Sequence, residues 1–173
     1  DPAAYKDHAR YLAGILGDPP LDLDMSSISA LRGHYDGKTG PNVAVLVPHG
    51  PVRLNVLGFT DAPLRGDDLV KAQAIVRKGL DEGAVGLSTG LSYYPQSYSD
   101  TQELLGLCEP IKDLDRVYVT HVRNHNDERA EYGSGIDEAL AIARIGDIKV
   151  HISHFMTRPA SAGQVDELMA PID

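Results

Sequence analysis

At 173 residues the chain is in the range of one domain and long enough to bury a substantial core. Its 42% apolar and 24% charged residues are those of an ordinary globular protein, and a net charge of −9 argues against nucleic acid or an anionic membrane as the main partner, since either needs a basic face. The single cysteine, Cys108, excludes an internal disulfide and fits a reducing, cytoplasmic compartment, and no apolar run approaches the roughly 20 residues that cross a bilayer.

In chain order, residues 3–16 place Tyr5, Ala9, Leu12 and Leu16 at helical spacing, with Gly17 and Pro19-Pro20 as the stop. Residues 21–40 read as turns around a short helix at about Ser27 to Leu31. The run NVAVLV, 42–47, is continuously apolar and ends at Pro48, which suits a strand covered on both faces. A helix follows with Leu69, Ala72, Ile75, Val76 and Leu80 on one face, Asp67 or Asp68 as its cap and Gly83 as its stop. A second buried strand, 84–88, leads into the loop TGLSYYPQSYSD, whose end offers Ser99 or Asp100 as the cap of the next helix. Strands at 116–121 and 148–154 flank a helix at 135–146.

This alternation of strand and helix with short connectors is the signature of βα units on a parallel sheet, either doubly wound or a (β/α)8 barrel. Four units fill about half of a barrel of ~250 residues and leave two raw sheet edges. The chain opens at Asp1-Pro2 without an initiator Met and stops at Ala170-Pro171-Ile172-Asp173, which reads as a segment of a longer protein.

Two strands end in histidine, VYVTH at His121 and VHISH at His154. In a barrel the carboxyl ends of the strands form one mouth, and imidazole on a rigid strand end suits zinc. The alternative is that each is an isolated polar residue at a strand end; its recurrence on successive strands favours metal ligation. Two ligands fall short of a catalytic zinc site, which takes about three protein groups and an open position. His151, an odd step from His154, belongs on the opposite strand face. His125 reads as a solvated loop residue and His49 as structural or as support for a ligand, while His8 and His34 are assigned nothing.

Gly86-Leu87-Ser88-Thr89-Gly90 matches the G-x-S-x-G of a nucleophile elbow. An elbow needs a helix immediately after a tight turn, yet here the next helix begins near Asp100, so Ser88 reads as the last inward residue of a strand. Tyr93, just beyond that strand, is placed to donate its phenol to a developing oxyanion or to pack as a loop aromatic.

The blocks GPNVAVLVPHGPVR, GAVGLSTGLSYYPQSYSDTQELLGLCEPI, VYVTHVRN and GIDEALAIARIGDIKVHISH closely resemble the N-acyl-D-amino-acid deacylases, or D-aminoacylases, of the amidohydrolase superfamily. The resemblance runs from about Gly40 to His154, in order and at similar spacing. It implies a zinc-dependent (β/α)8 TIM barrel of the metal-dependent amidohydrolase type, of which residues 1–173 form a partial catalytic domain, about strands 3 to 6. It further implies a site with one or two Zn2+ ions and hydrolysis of N-acyl-D-amino acids to a carboxylate and a free D-amino acid. His121 and His154 match metal ligands on the fifth and sixth strands. Tyr93 matches a loop tyrosine that contacts substrate near the scissile amide, and Arg123 sits where the family has an arginine near the site.

The sequence departs from the family at Asn124-His125-Asn126, where an acidic pair is usual, and at Met156. The first-strand H-x-H pair, the second-strand cysteine and the eighth-strand catalytic aspartate have no counterpart. The expected partners are therefore a small N-acyl-D-amino acid and the remainder of the barrel. The other readings are a dihydroorotase- or hydantoinase-like cyclic amide hydrolase, and a segment that is catalytically inert alone.

Overall fold

The computed structural model describes residues 2–18, 22–123, 129, 131–155 and 162–172. In order these form α1 (Pro2–Leu16), α2 (Ile28–Gly33), β1 (Val47–Pro48), α3 (His49–Val56), α4 (Gly66–Asp81), β2 (Gly86–Gly90), α5 (Thr101–Asp113), β3 (Val117–His121), α6 (Gly135–Gly146), β4 (Lys149–Ile152) and α7 (Val165–Met169), with a single 3-10 turn at Gln96–Tyr98. The four strands are parallel and lie in sequence order, β1-β2-β3-β4. That order is what successive βα units produce, and the α/β expectation holds.

The register divides the sheet into two faces. Leu87, Tyr118 and Val150 share one rung, and Thr89, Thr120 and Ile152 share another. This face is covered: Leu87 and Tyr118 are fully buried against Ala72, Val76 and Leu80 of α4, Leu104, Leu107, Cys108 and Ile111 of α5, and Ile142 of α6. Burying each of the large apolar side chains contributes about 1.5–3 kcal/mol, so the core lies between the sheet and one layer of helices. Beneath it, Thr89 Oγ1 bonds Tyr118 Oη and Thr120 Oγ1, each at 2.9 Å, which satisfies the hydroxyls that burial takes from water. The opposite face carries Ser88, Val119 and His151 on one rung, half-buried or exposed.

Local chemistry explains where the elements start and stop. Asp100, rather than Ser99, caps α5, its carboxylate accepting from the Glu103 amide at 2.9 Å, and Ser134 caps α6 through the Asp137 amide at 3.1 Å. Helix α4 starts at Gly66 after Arg65, so Asp67 and Asp68 are not its cap; they occupy the first turn, where the helix dipole favours negative charge. The expected strand at 42–47 contracts to Val47–Pro48. Pro48 has no N–H to extend a ladder, and helix α3, absent from the sequence reading, begins at His49. Only Val47 of that run is buried, at 3% exposure against 43% for Val43. Strand β2 continues past Ser88 to Gly90, so that serine lies in mid-strand, its Oγ 3.4 Å from the Val47 carbonyl. Extended backbone through Ser88 is incompatible with an elbow. Among the described residues, no helix is long and apolar enough to cross a membrane.

Candidate metal centre

The carboxyl ends of β2, β3 and β4 bring three of the four sequence-selected residues together. His121 is the last residue of β3, in register with Gly90 at the end of β2. Strand pairing continues one step further on each side, through Leu91 N to the His121 carbonyl at 3.0 Å and Ser153 N to the Thr120 carbonyl at 2.8 Å. His154 then adopts φ +52°, a left-handed conformation uncommon outside glycine that histidine, like asparagine and aspartate, enters more readily than other side chains. This turn breaks the strand alternation and brings the His154 ring to 5.3 Å from that of His121, at 72°. His151, three residues earlier, stays on the open sheet face beside Val119.

Tyr93 closes the other side, its ring centre 5.3 Å from that of His121. Gly90 permits this approach, because a Cβ there would press within 3.0 Å of Tyr93 Cδ2. The loop that carries Tyr93 is tied back on itself: Tyr93 N donates to Gly90 O at 3.0 Å, and Ser97 N donates to Tyr93 O at 2.8 Å.

Arg123 is placed differently. Its side chain is 1% exposed and turns away from the histidines, with Nε and Nη2 on the Glu138 carboxylate at 3.0 and 3.3 Å. Nη1 and Nη2 donate to the carbonyls of Ser97 and Ser99 at 3.1 and 3.0 Å. The residues after it, Asn124, His125, Asn126 and Asp127, and likewise Met156, lie outside the described residues.

The two rings stand at a separation that a shared metal ion would allow. Imidazole nitrogens at about 2.0–2.1 Å from a tetrahedral zinc put two ring centres roughly 5 Å apart, and the observed separation is 5.3 Å. Among the described residues no third His, Cys, Asp or Glu joins the pair. Two clefts of about 540 and 380 Å³ lie along residues 29–43 and beside α6, and neither is lined by His121, His154 or Tyr93.

A buried polar cluster between α3 and α5 is not legible in the sequence. His49 Nε2 meets Glu103 Oε1 at 2.8 Å, Arg53 Nη1 donates to Glu103 Oε2 at 2.5 Å, and the Leu64 amide donates to the same oxygen at 2.7 Å. Burial holds the His49 imidazole below the usual histidine range. Burial alone would raise the Glu103 carboxyl, but the hydrogen bond from His49 and the Arg53 charge prevail and lower it. The cluster is therefore a neutral histidine and a charged carboxylate–guanidinium pair, anchoring α3 to α5. These contacts make His49 a structural anchor. Glu103 and Glu138 each stood in the first turn of a predicted helix, and that position was the only signal of either.

No protein-family model matches the chain. It is 30% identical over 99% of its length to an N-acyl-D-glutamate deacylase of Alcaligenes xylosoxydans xylosoxydans, and 31% identical over 81% to an N-acyl-D-aspartate deacylase of the same organism. Among solved structures it is similar to the N-acyl-D-glutamate deacylase of Bordetella bronchiseptica complexed with zinc and a phosphonate mimic of the tetrahedral intermediate (TM-score 0.79, 30% identity, 94% of this chain). It is also similar to D-aminoacylase, described as defining a novel subset of amidohydrolases (TM-score 0.74, 28% identity, 88% of this chain). The chain spans about a third of the length of these relatives, 34% of the first and 33% of the Bordetella structure. Four sequential parallel strands backed by helices are accordingly part of a (β/α)8 barrel. In sequence and in fold, the chain belongs to the N-acyl-D-amino-acid deacylase family of the amidohydrolases.

Proposed function

We propose that the protein takes part in zinc-dependent hydrolysis of the amide bond of N-acyl-D-amino acids, releasing a carboxylate and a free D-amino acid. The observation that carries this reading is the His121–His154 ring pair, 5.3 Å apart at the carboxyl ends of neighbouring strands, with Tyr93 against His121. His121 and His154 supply two imidazole ligands from rigid or sharply turned backbone, and the remaining ligand and the acid–base carboxylate come from outside the described residues. Zinc, when bound, polarises an amide carbonyl and lowers the pKa of bound water. Tyr93, its ring against His121, would orient the substrate amide and donate its phenol hydrogen to the oxygen that gains charge. The close relation to deacylases named for glutamate and aspartate favours an acidic D-amino acid as the substrate.

The test compares zinc content and hydrolysis of N-acetyl-D-glutamate, N-acetyl-D-methionine and their L-enantiomers in the protein and in the His121→Ala/His154→Ala double variant. We expect bound zinc that is lost in the double variant and turnover confined to the D-series. Zinc retained at full stoichiometry in a folded double variant would exclude these ligands.

A further inference from the structure

We infer that Arg123 is a positioning residue that fixes Tyr93 against His121 through the backbone of Ser97, an inference that rests on the reading of the histidine pair as the metal end of the site. Arg123 lies two residues after His121, so whatever anchors it also anchors the end of β3. Its main chain packs directly on the start of α6: a Cβ on Gly135 would collide with the Arg123 carbonyl oxygen and approach its amide nitrogen to 2.8 Å. From this fixed point the guanidinium reaches two structures at once. One is Glu138, whose Oε1 also accepts from Thr101 Oγ1 at 3.0 Å, which ties α6 to the start of α5. The other is the β2–α5 loop, through the carbonyls of Ser97 and Ser99.

The path to Tyr93 is short and wholly hydrogen-bonded. Arg123 Nη1 holds the Ser97 carbonyl at 3.1 Å, and the Ser97 amide holds the Tyr93 carbonyl at 2.8 Å. Ser99 is fully buried, so its carbonyl has no water to replace the arginine. Arg129 adds a second contact to Ser97 O at 2.9 Å while its guanidinium lies 5.4 Å from the Tyr98 ring centre, so the loop is gripped from the same segment twice. Glu138 neutralises the buried Arg123 charge and fixes the plane of the fork. A lysine could pair with Glu138 but, as a point charge without a planar fork, could not span both carbonyls as well. Arg123 thus acts on the substrate only through Tyr93.

The experiment places 3-fluorotyrosine at position 93 and, in a separate sample, at the core position 118, and records fluorine NMR of the protein with and without Arg123→Lys. Zinc content is measured on each sample. We expect one narrow Tyr93 resonance that broadens or splits in Arg123→Lys, with the Tyr118 resonance and the zinc content unchanged. The kinetic counterpart is a fall in kcat of up to about 100-fold with KM little altered, as a misplacement near 1 Å costs, and this fall disappears in a Tyr93→Phe background. An unchanged Tyr93 resonance overturns the inference. Simultaneous collapse of the Tyr93 and Tyr118 signals also overturns it, because Arg123 would then support the whole fold. Zinc absent from the unsubstituted protein would instead refute the proposed function while the fluorine comparison still decides the role of Arg123.

Discussion

Replacing Glu103 with Gln removes one charge and changes almost no volume, so it isolates the electrostatics of the polar core. The carboxylate is fully buried and accepts three donors, His49 Nε2, Arg53 Nη1 and Leu64 N. A glutamine oxygen can keep the Arg53 and Leu64 donors, which share Oε2, but its amide then confronts His49. That clash is relieved only if His49 shifts its proton to Nδ1, an atom with no partner among the described residues. An unsatisfied buried N–H costs roughly 1–3 kcal/mol. The larger loss is the carboxylate opposite Arg53, since breaking a buried ion pair costs roughly 3–5 kcal/mol. The two costs overlap, and Arg53 keeps the Ala62 carbonyl at 2.7 Å, so we expect a net destabilisation of about 4 kcal/mol. Against a typical total of roughly 5–15 kcal/mol this is a severe loss. Urea unfolding followed by far-UV circular dichroism measures it, with an unchanged m-value and with the exposed Glu109→Gln on the same helix as control. A shift below about 1 kcal/mol would refute the picture of a charged Glu103 holding α3 to α5.

Stability should fall on acidification in two stages, measured as Tm against pH. Burial lowers the His49 and His8 imidazoles from 6.5, so below about that pH the unfolded chain takes up protons that the folded one refuses; Glu103, lowered from 4.5, adds a second loss as pH drops through the carboxylate range. A Tm that holds constant or rises between pH 7 and pH 5 would contradict this. Cys108 is 1% exposed and burial pushes its thiol far above the usual range, so it should resist a thiol reagent at pH 8 in the native protein and react fully in urea; rapid native labelling would show that the α5 core opens locally.

Helix 135–146 was legible to the residue, because an amphipathic run between Ser134 and Asp147 carries its own start and stop. The cap at Asp100 and the parallel strands at β2, β3 and β4 were equally local in origin. Helix α3 was not legible: HGPVRLNV carries Gly and Pro in its first turn and no apolar stripe, and its helicity depends on Arg53 and His49 reaching Glu103 some fifty residues away. Nor could the composition of a helix first turn reveal that Glu103 and Glu138 are buried, since burial of a carboxylate depends on a cation supplied by another element.

Sequence alone therefore determined the βα order and the histidine that ends β3, because both follow from periodicity and from residues adjacent along the chain; the strand expected to run to His154 stops at Ile152. The tertiary structure decided the rest. It set the left-handed turn at His154 that brings its ring beside His121, and the placement of Tyr93 against His121. It also turned Arg123 inward onto Glu138, Ser97 and Ser99. These are contacts between elements far apart in sequence, and their geometry is settled only when the sheet and its helices pack, because a buried charge or hydroxyl must find whichever partner the fold brings within reach.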